Sequence, residues 1–86
     1  MAKFIKLVEK MLRYPTEMRY EEVITVLEYF GYHIDNDKTT TGTHFVYVKY
    51  GYPQITVVKH HEKVSRWYIK DIVKILKLEE WYERHK

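Results

Sequence analysis

Eighty-six residues with 45% hydrophobic and 16% aromatic side chains describe one small folded domain, too short for two independent cores and too apolar for disorder. The absence of cysteine removes a disulfide framework, a Cys-based zinc site and a thiol nucleophile together. A formal net charge of +3 permits nucleic-acid binding without demanding it, so the placement of charge matters more than its total.

Nine tyrosines and two tryptophans mean that much of the buried area comes from large amphipathic rings. A fold of this size has on the order of ~5 kcal/mol of net stability, so tight packing or a partner chain, a second copy included, is expected to supply the rest. No apolar run approaches the ~20 residues of a membrane span, and Met1-Ala2-Lys3 leads into charged residues rather than a signal core. A soluble, cytoplasmic protein is the expectation.

In chain order, residues 3–13 place Phe4, Leu7, Val8, Met11 and Leu12 at helical spacing, and Tyr14-Pro15 ends that helix. A second helix is predicted from about Arg19 to Phe30, with Tyr20, Val23, Ile24, Leu27 and Phe30 as its apolar stripe and Gly31 at the left-handed C-cap. Tyr32 to Asp35 is a short strand, and Asn36 to Thr43 a polar, threonine-rich loop expected to be exposed and mobile. Phe45 to Lys49 and Gln54 to Val58 pair as an antiparallel hairpin around Tyr50-Gly51-Tyr52-Pro53. Lys59 to Val64 reads as a linker, and a last helix runs from Ser65 or Arg66 to at least Leu76 with Ile69, Ile72, Val73 and Leu76 inside. Residues 78–86 carry Trp81 and Tyr82 at helical spacing, a C-terminal extension. The order α-α-β-β-β-α predicts an α+β two-layer sandwich, a three-stranded antiparallel sheet with helices on one face. Residues 1–18 form an added N-terminal helix and linker, and 19–77 the core of a single domain.

The segment Gly42-Thr43-His44 sets a histidine at the mouth of a strand behind a polar loop. That places an imidazole where it can act as general acid or base with an open face to a substrate, although the same pattern also describes a histidine that merely begins a hairpin. Alternation puts His44 on the face of Val46 and Val48, and Phe45, Tyr47 and Lys49 on the other. Should Val46 and Val48 face the helices, His44 would escape the core only by lying at the strand's end.

These residues fit a larger pattern: Phe30-Gly31-Tyr32, then Gly42-Thr43-His44, then Ile55-Thr56-Val57 leading to His60, then Ile69 to Lys74 in a closing helix. Over roughly residues 20 to 76 the chain resembles the HicA-type mRNA interferase toxins, small proteins with a double-stranded-RNA-binding-domain-like fold. Thr43 stands where that family usually has serine, and Val58-Lys59-His60 where it often has Pro, another residue and His. The resemblance implies a toxin of a type II toxin-antitoxin system, a metal-independent endoribonuclease with His44 catalytic, mRNA as substrate and a HicB-type antitoxin that covers the site. No cofactor is implied.

The chemistry asks for little. A base takes a ribose 2′-hydroxyl proton, the oxygen attacks the adjacent phosphorus, and an acid protonates the leaving 5′-oxygen. His44 is the first candidate for proton transfer, with Thr43, Lys49, Lys59 and His60 as supporting groups. Independently, Lys63, Arg66, Lys70, Lys74 and Lys77 recur at spacings of three and four, and residues 59–77 hold six Lys or Arg against Glu62 and Asp71, a local +4. Such a stripe suits phosphate contacts; it equally describes the solvated side of an amphipathic helix. The pair His60-His61 is not read as a metal site, because neighbours on an extended segment point to opposite sides. Tyr47, Tyr50 and Tyr52 are candidates for base stacking or for packing about the turn, and Trp67, Trp81 and Tyr82 for core or partner-facing anchors. The alternatives to a nuclease are a non-catalytic RNA- or DNA-binding module and a small protein-interaction domain, or homo-oligomer, built on residues 1–18 and the C-terminal aromatics.

Overall fold

The helix periodicities and turn residues become nine elements in a computed structural model that describes residues 2–38 and 42–86. They are α1 (Ala2–Leu12), β1 (Glu17–Arg19), α2 (Tyr20–Tyr29), β2 (His33–Ile34), β3 (His44–Val48), β4 (Ile55–Val58), β5 (Lys63–Ser65), α3 (Arg66–Leu76) and α4 (Leu78–His85). The fold is α+β, with an antiparallel sheet ordered β2-β3-β4. The centre of the expected Asn36–Thr43 loop, residues 39–41, lies outside the described residues. Its first part is an Asx turn, the Asp35 carboxylate accepting from the backbone N–H of Asp37 at 3.0 Å.

Each main break in the chain has a local cause. Helix α2 ends in a Schellman motif: Gly31, at φ +90°, donates to the Glu28 carbonyl and Tyr32 to that of Leu27. The β3–β4 turn closes with Tyr52 N–H on the Lys49 carbonyl at 3.0 Å and Gly51 at φ +81°, the positive angle a type II turn needs at its third residue.

Two findings add to the expected order. Residues 17–19 and 63–65 pair antiparallel as a separate ribbon, Met18 opposite Val64, and both side chains are buried. Lys59 to Val64 is therefore no linker. His60 and Lys63 exchange backbone hydrogen bonds of 2.8 and 3.0 Å around His61 and Glu62, whose φ values of 51° and 63° make a type I′ turn from non-glycine residues. The Glu62 carbonyl accepts from Tyr20 N–H at 2.8 Å, giving one of the unpaired donors at the start of α2 a partner. The C-terminal segment is also a helix of its own: Lys77 adopts the left-handed conformation (φ 54°, ψ 48°) and breaks α3 from α4.

The core joins all layers, with Val8 and Met11 of α1, Val23 and Leu27 of α2, Ile55 and Val57 of β4, Ile69 and Ile72 of α3 and Leu78 of α4 completely or almost completely enclosed. The N- and C-terminal helices meet through aromatic rings, Phe4 edge-on to Trp81 at 5.5 Å and stacked on Tyr29 at 4.0 Å. The Tyr82 hydroxyl adds a hydrogen bond to the Glu9 carboxylate.

Candidate functional site

Strand alternation assigns the two faces of the sheet. Tyr47, Ile55 and Val57 belong to the core cluster with Phe45 and Ile34 against it, and Val46 does not. The register pairs Phe45 with Val57 and Tyr47 with Ile55 on that inner face. It pairs His44 with Val58, Val46 with Thr56 and His33 with Val48 on the outer one. His44 is exposed on the face turned away from the helices. The alternative in which Val46 and Val48 face the helices does not occur.

At the head of β3 the His44 Nδ1 lies 3.0 Å from the Thr43 hydroxyl. When Nδ1 carries the proton and donates it to Thr43, Nε2 keeps its lone pair, which is what a general base requires. Strand β4 ends at Val58, the partner of His44, and His60 two residues further on bridges Lys63 at the base of the turn. His60 is exposed, and the turn brings its ring against that of His61, edge-on at 4.3 Å. The opposite-sides expectation for this pair fails because the chain enters the type I′ turn between them. Among the described residues no group of three His, Cys, Asp or Glu could hold a metal.

Lys59 is close in sequence but differently used. Its backbone N–H bonds the Thr43 carbonyl at 2.8 Å, while its ammonium turns to the inner side, 5.0 Å from the Phe45 ring centre and 4.8 Å from that of Tyr20. Glu62 faces it at 3.4 Å. Lys49 stands five residues from His44, about 17 Å along the strand, with its ammonium 4.3 Å over the Tyr52 ring.

The basic stripe is distributed rather than continuous. Lys63 pairs with Glu17 at 3.6 Å. Arg66 is tied to the first linker, its Nε donating to the Tyr14 carbonyl at 2.7 Å and a terminal nitrogen to the Thr16 hydroxyl at 3.2 Å. Lys70 reaches over Tyr14 at 5.6 Å, and Lys74 is exposed on the same helix. Helix α3 buries Ile69, Ile72 and Val73 against the inner side of the sheet, so Lys70 and Lys74 face away from it. They and His44 lie on opposite layers. Lys77 sits at the α3–α4 break.

Of the aromatics singled out, Tyr47 is 3% exposed and cannot stack on a base, whereas Tyr50 and Tyr52 are open to solvent. Trp81 is buried, and Trp67 is 73% exposed beside Lys70. The ring most accessible for stacking beside a cation on α3 is therefore Trp67. No helix among the described residues is long and apolar enough to cross a membrane.

A family model described as the HicA toxin of bacterial toxin-antitoxin matches residues 20–84, from the first residue of α2 nearly to the end of α4. No curated protein and no solved structure matches the chain. The matched span holds the whole three-stranded sheet with His44 and His60, and it is most of the sequence; this chain belongs to the HicA toxin family, the toxin side of a toxin-antitoxin pair.

Proposed function

We propose that this protein is an endoribonuclease that cleaves mRNA with His44 as its proton-transfer group. The observation that carries the reading is the exposed His44 imidazole on the sheet's outer face, its Nδ1 held by Thr43. Nε2 removes the proton from a ribose 2′-hydroxyl. The 2′-oxygen forms a bond to the adjacent phosphorus, and the bond from phosphorus to the 5′-oxygen breaks. His60, two residues beyond the β4 partner of His44, donates a proton to that leaving oxygen, and the products are a 2′,3′-cyclic phosphate and a 5′-hydroxyl end. Proton transfer by two imidazoles asks for no metal. The Lys59 ammonium rests on the inner side of the same strand pair, beside Tyr20 and Phe45, and supplies charge to the scissile phosphate only by swinging around the strand end.

Induction of the wild type in bacteria lacking an antitoxin should arrest growth and degrade mRNA, and His44→Ala should relieve both. In purified form, an RNA with a 2′-deoxy nucleotide at the cut site should resist cleavage. Equal harmlessness of wild type and His44→Ala, or cleavage indifferent to the 2′-hydroxyl, would refute the assignment.

A second reading, a non-catalytic RNA- or DNA-binding module, is favoured by Trp67 standing free among the α3 cations on the layer opposite His44. It takes Lys63, Arg66, Lys70, Lys74 and Lys77 as the contact set. Binding would then fall with rising salt, weaken on joint Lys70→Ala and Lys74→Ala substitution, and ignore His44→Ala.

A further inference from the structure

Between the β3–β4 turn and the break separating α3 from α4 runs a groove of about 560 Å³, within the ~300–1,000 Å³ typical of ligand sites. Pro53, Ile75 and Leu76 supply aliphatic wall, and Lys49, Lys77 and Arg84 supply cations; no Asp or Glu lines it. None of these three cations is ion-paired among the described residues. The groove lies at the far end of β3 from His44 and on the helix side of the sheet, outside the proposed cleavage site.

We propose that this groove docks an acidic peptide segment of a partner protein, one that alternates carboxylate and aliphatic side chains. The charge is complementary throughout, and Arg84 offers a carboxylate two parallel donors. The ring geometry favours peptide over nucleic acid. A base needs an open aromatic face, and most rings here are engaged: His85 stacks on Trp81 at 4.3 Å and Phe30 packs edge-on to Trp81 at 5.6 Å, while Tyr52, 59% exposed, carries the Lys49 ammonium over one face at 4.3 Å. Tyr32 is buried and spends its hydroxyl on the Pro53 carbonyl at 2.8 Å. What remains open is aliphatic surface and one face of Tyr52, with a positive rim. The inference does not depend on the nuclease reading.

The test is amide chemical-shift mapping on the full chain, made in a cell-free system, with three probes: a glutamate-leucine decapeptide, its glutamine-leucine counterpart and decauridylate. The glutamate peptide should move the amides of Lys49, Leu76, Lys77 and Arg84, and joint Lys77→Gln and Arg84→Gln substitution should weaken it at least tenfold while the melting temperature stays within a few degrees. Should the pair instead unfold the chain, Lys49→Gln, made on the neighbouring hairpin, must show at least a threefold loss. Absence of shifts in the groove, equal binding of the glutamine peptide, or decauridylate moving the same amides more tightly would each overturn the proposal, the last in favour of a nucleic-acid groove.

Discussion

The Tyr20 and Tyr47 hydroxyls lie 2.7 Å apart and pin the strand that carries His44 to the first turn of α2. Tyr47 is enclosed by the core. Burial above all, then the hydrogen bond and the neighbouring Tyr20 and Glu28 charges, pushes its pKa far above the ordinary phenol value. The outward presentation of His44 thus rests on a buried phenol one layer beneath it.

That phenol predicts an alkaline weakness. Below about pH 10, Tyr47 is protonated both folded and unfolded. Above it the unfolded chain releases the proton while the folded chain holds it, so stability present at neutral pH drains away as pH climbs toward the raised value. Melting temperature should be flat to about pH 9 and then fall. Tyr47→Phe should lose about 1 kcal/mol at neutral pH through the missing hydrogen bond, and its alkaline decline should be shallower. Tyr32 and Tyr82, also shifted upward, leave part of the slope in place. Identical slopes in wild type and variant would show that the Tyr47 proton is not what the fold protects.

The two candidate histidines predict separable roles, His44 as the base on the ribose 2′-hydroxyl and His60 as the acid on the leaving oxygen. His44→Ala should lower kcat by ~10²–10⁴-fold and leave melting nearly unchanged, because the side chain is exposed. His60→Ala should lower kcat for a substrate with the natural 5′-oxygen leaving group while sparing one whose leaving group needs no proton, such as a p-nitrophenyl ester. Equal loss on both substrates, or no loss on either, would remove His60 from the acid role.

Thr43 is a positioning residue in this scheme. Thr43→Val should cost about tenfold in kcat with KM unchanged, by releasing the imidazole from its hydrogen bond, and Thr43→Ser should restore the rate. Loss of activity in both variants would mean that the hydroxyl is not what positions His44.

How far these features were visible in the sequence depends on which signals are local. Helices α1 and α2 announce themselves by apolar spacing, and the β3–β4 hairpin by β-branched runs around Gly51. The β1–β5 ribbon left no such trace. Each strand is three residues long, and Met18 and Val64 meet across most of the chain, where no alternation pattern can register. The breaks at His61-Glu62 and Lys77 were equally silent, since their positive φ values fall on residues without the Gly or Asn signature that marks such positions. The face of His44 was undecidable for a different reason: Phe45 and Tyr47 compete with Val46 and Val48 for the core, and both sets are apolar. Only the register and the packing of Tyr47 decide it. Of the expected stripe only Arg66, Lys70 and Lys74 lie on α3, with Lys63 on β5 and Lys77 at the break, and which side of the sandwich they take is set by Ile69 and Ile72 packing, not by spacing.

Gly31 and Gly51 form a natural comparison for backbone strain. Both occupy positive φ, but a Cβ on Gly31 would meet the Lys49 Cε at 3.3 Å, while one on Gly51 meets nothing. Each Gly→Ala change should cost about 1–2 kcal/mol from the backbone alone. The neighbour of Gly31 is the far end of a flexible side chain, so Gly31→Ala should exceed Gly51→Ala by less than about 0.5 kcal/mol. Urea midpoints at constant slope measure the difference; a much larger gap would mean that Lys49 is fixed in place over Tyr52.

The type I′ turn can be relaxed where it touches the candidate site. His61 and Glu62 hold left-handed conformations that Asn-Gly adopts with far less strain. Replacing the pair, His61→Asn with Glu62→Gly, should therefore stabilise the fold by about 1 kcal/mol, a rise of roughly 4–8 °C in melting temperature. The hydrogen bond to Tyr20 N–H survives, because it uses the residue 62 carbonyl. What is lost is the Lys59 pairing, and with Glu62 79% exposed such a contact contributes only about 0–1 kcal/mol. Losing it removes the carboxylate beside the Lys59 ammonium near the mouth of β3. If Lys59 contributes charge to the phosphate, the variant should cleave RNA faster as well as melt later, and adding Lys59→Ala should abolish the gain in rate without abolishing the gain in stability. A variant that melts later but cleaves no faster would leave the turn as a strained connection and take Lys59 out of the reaction.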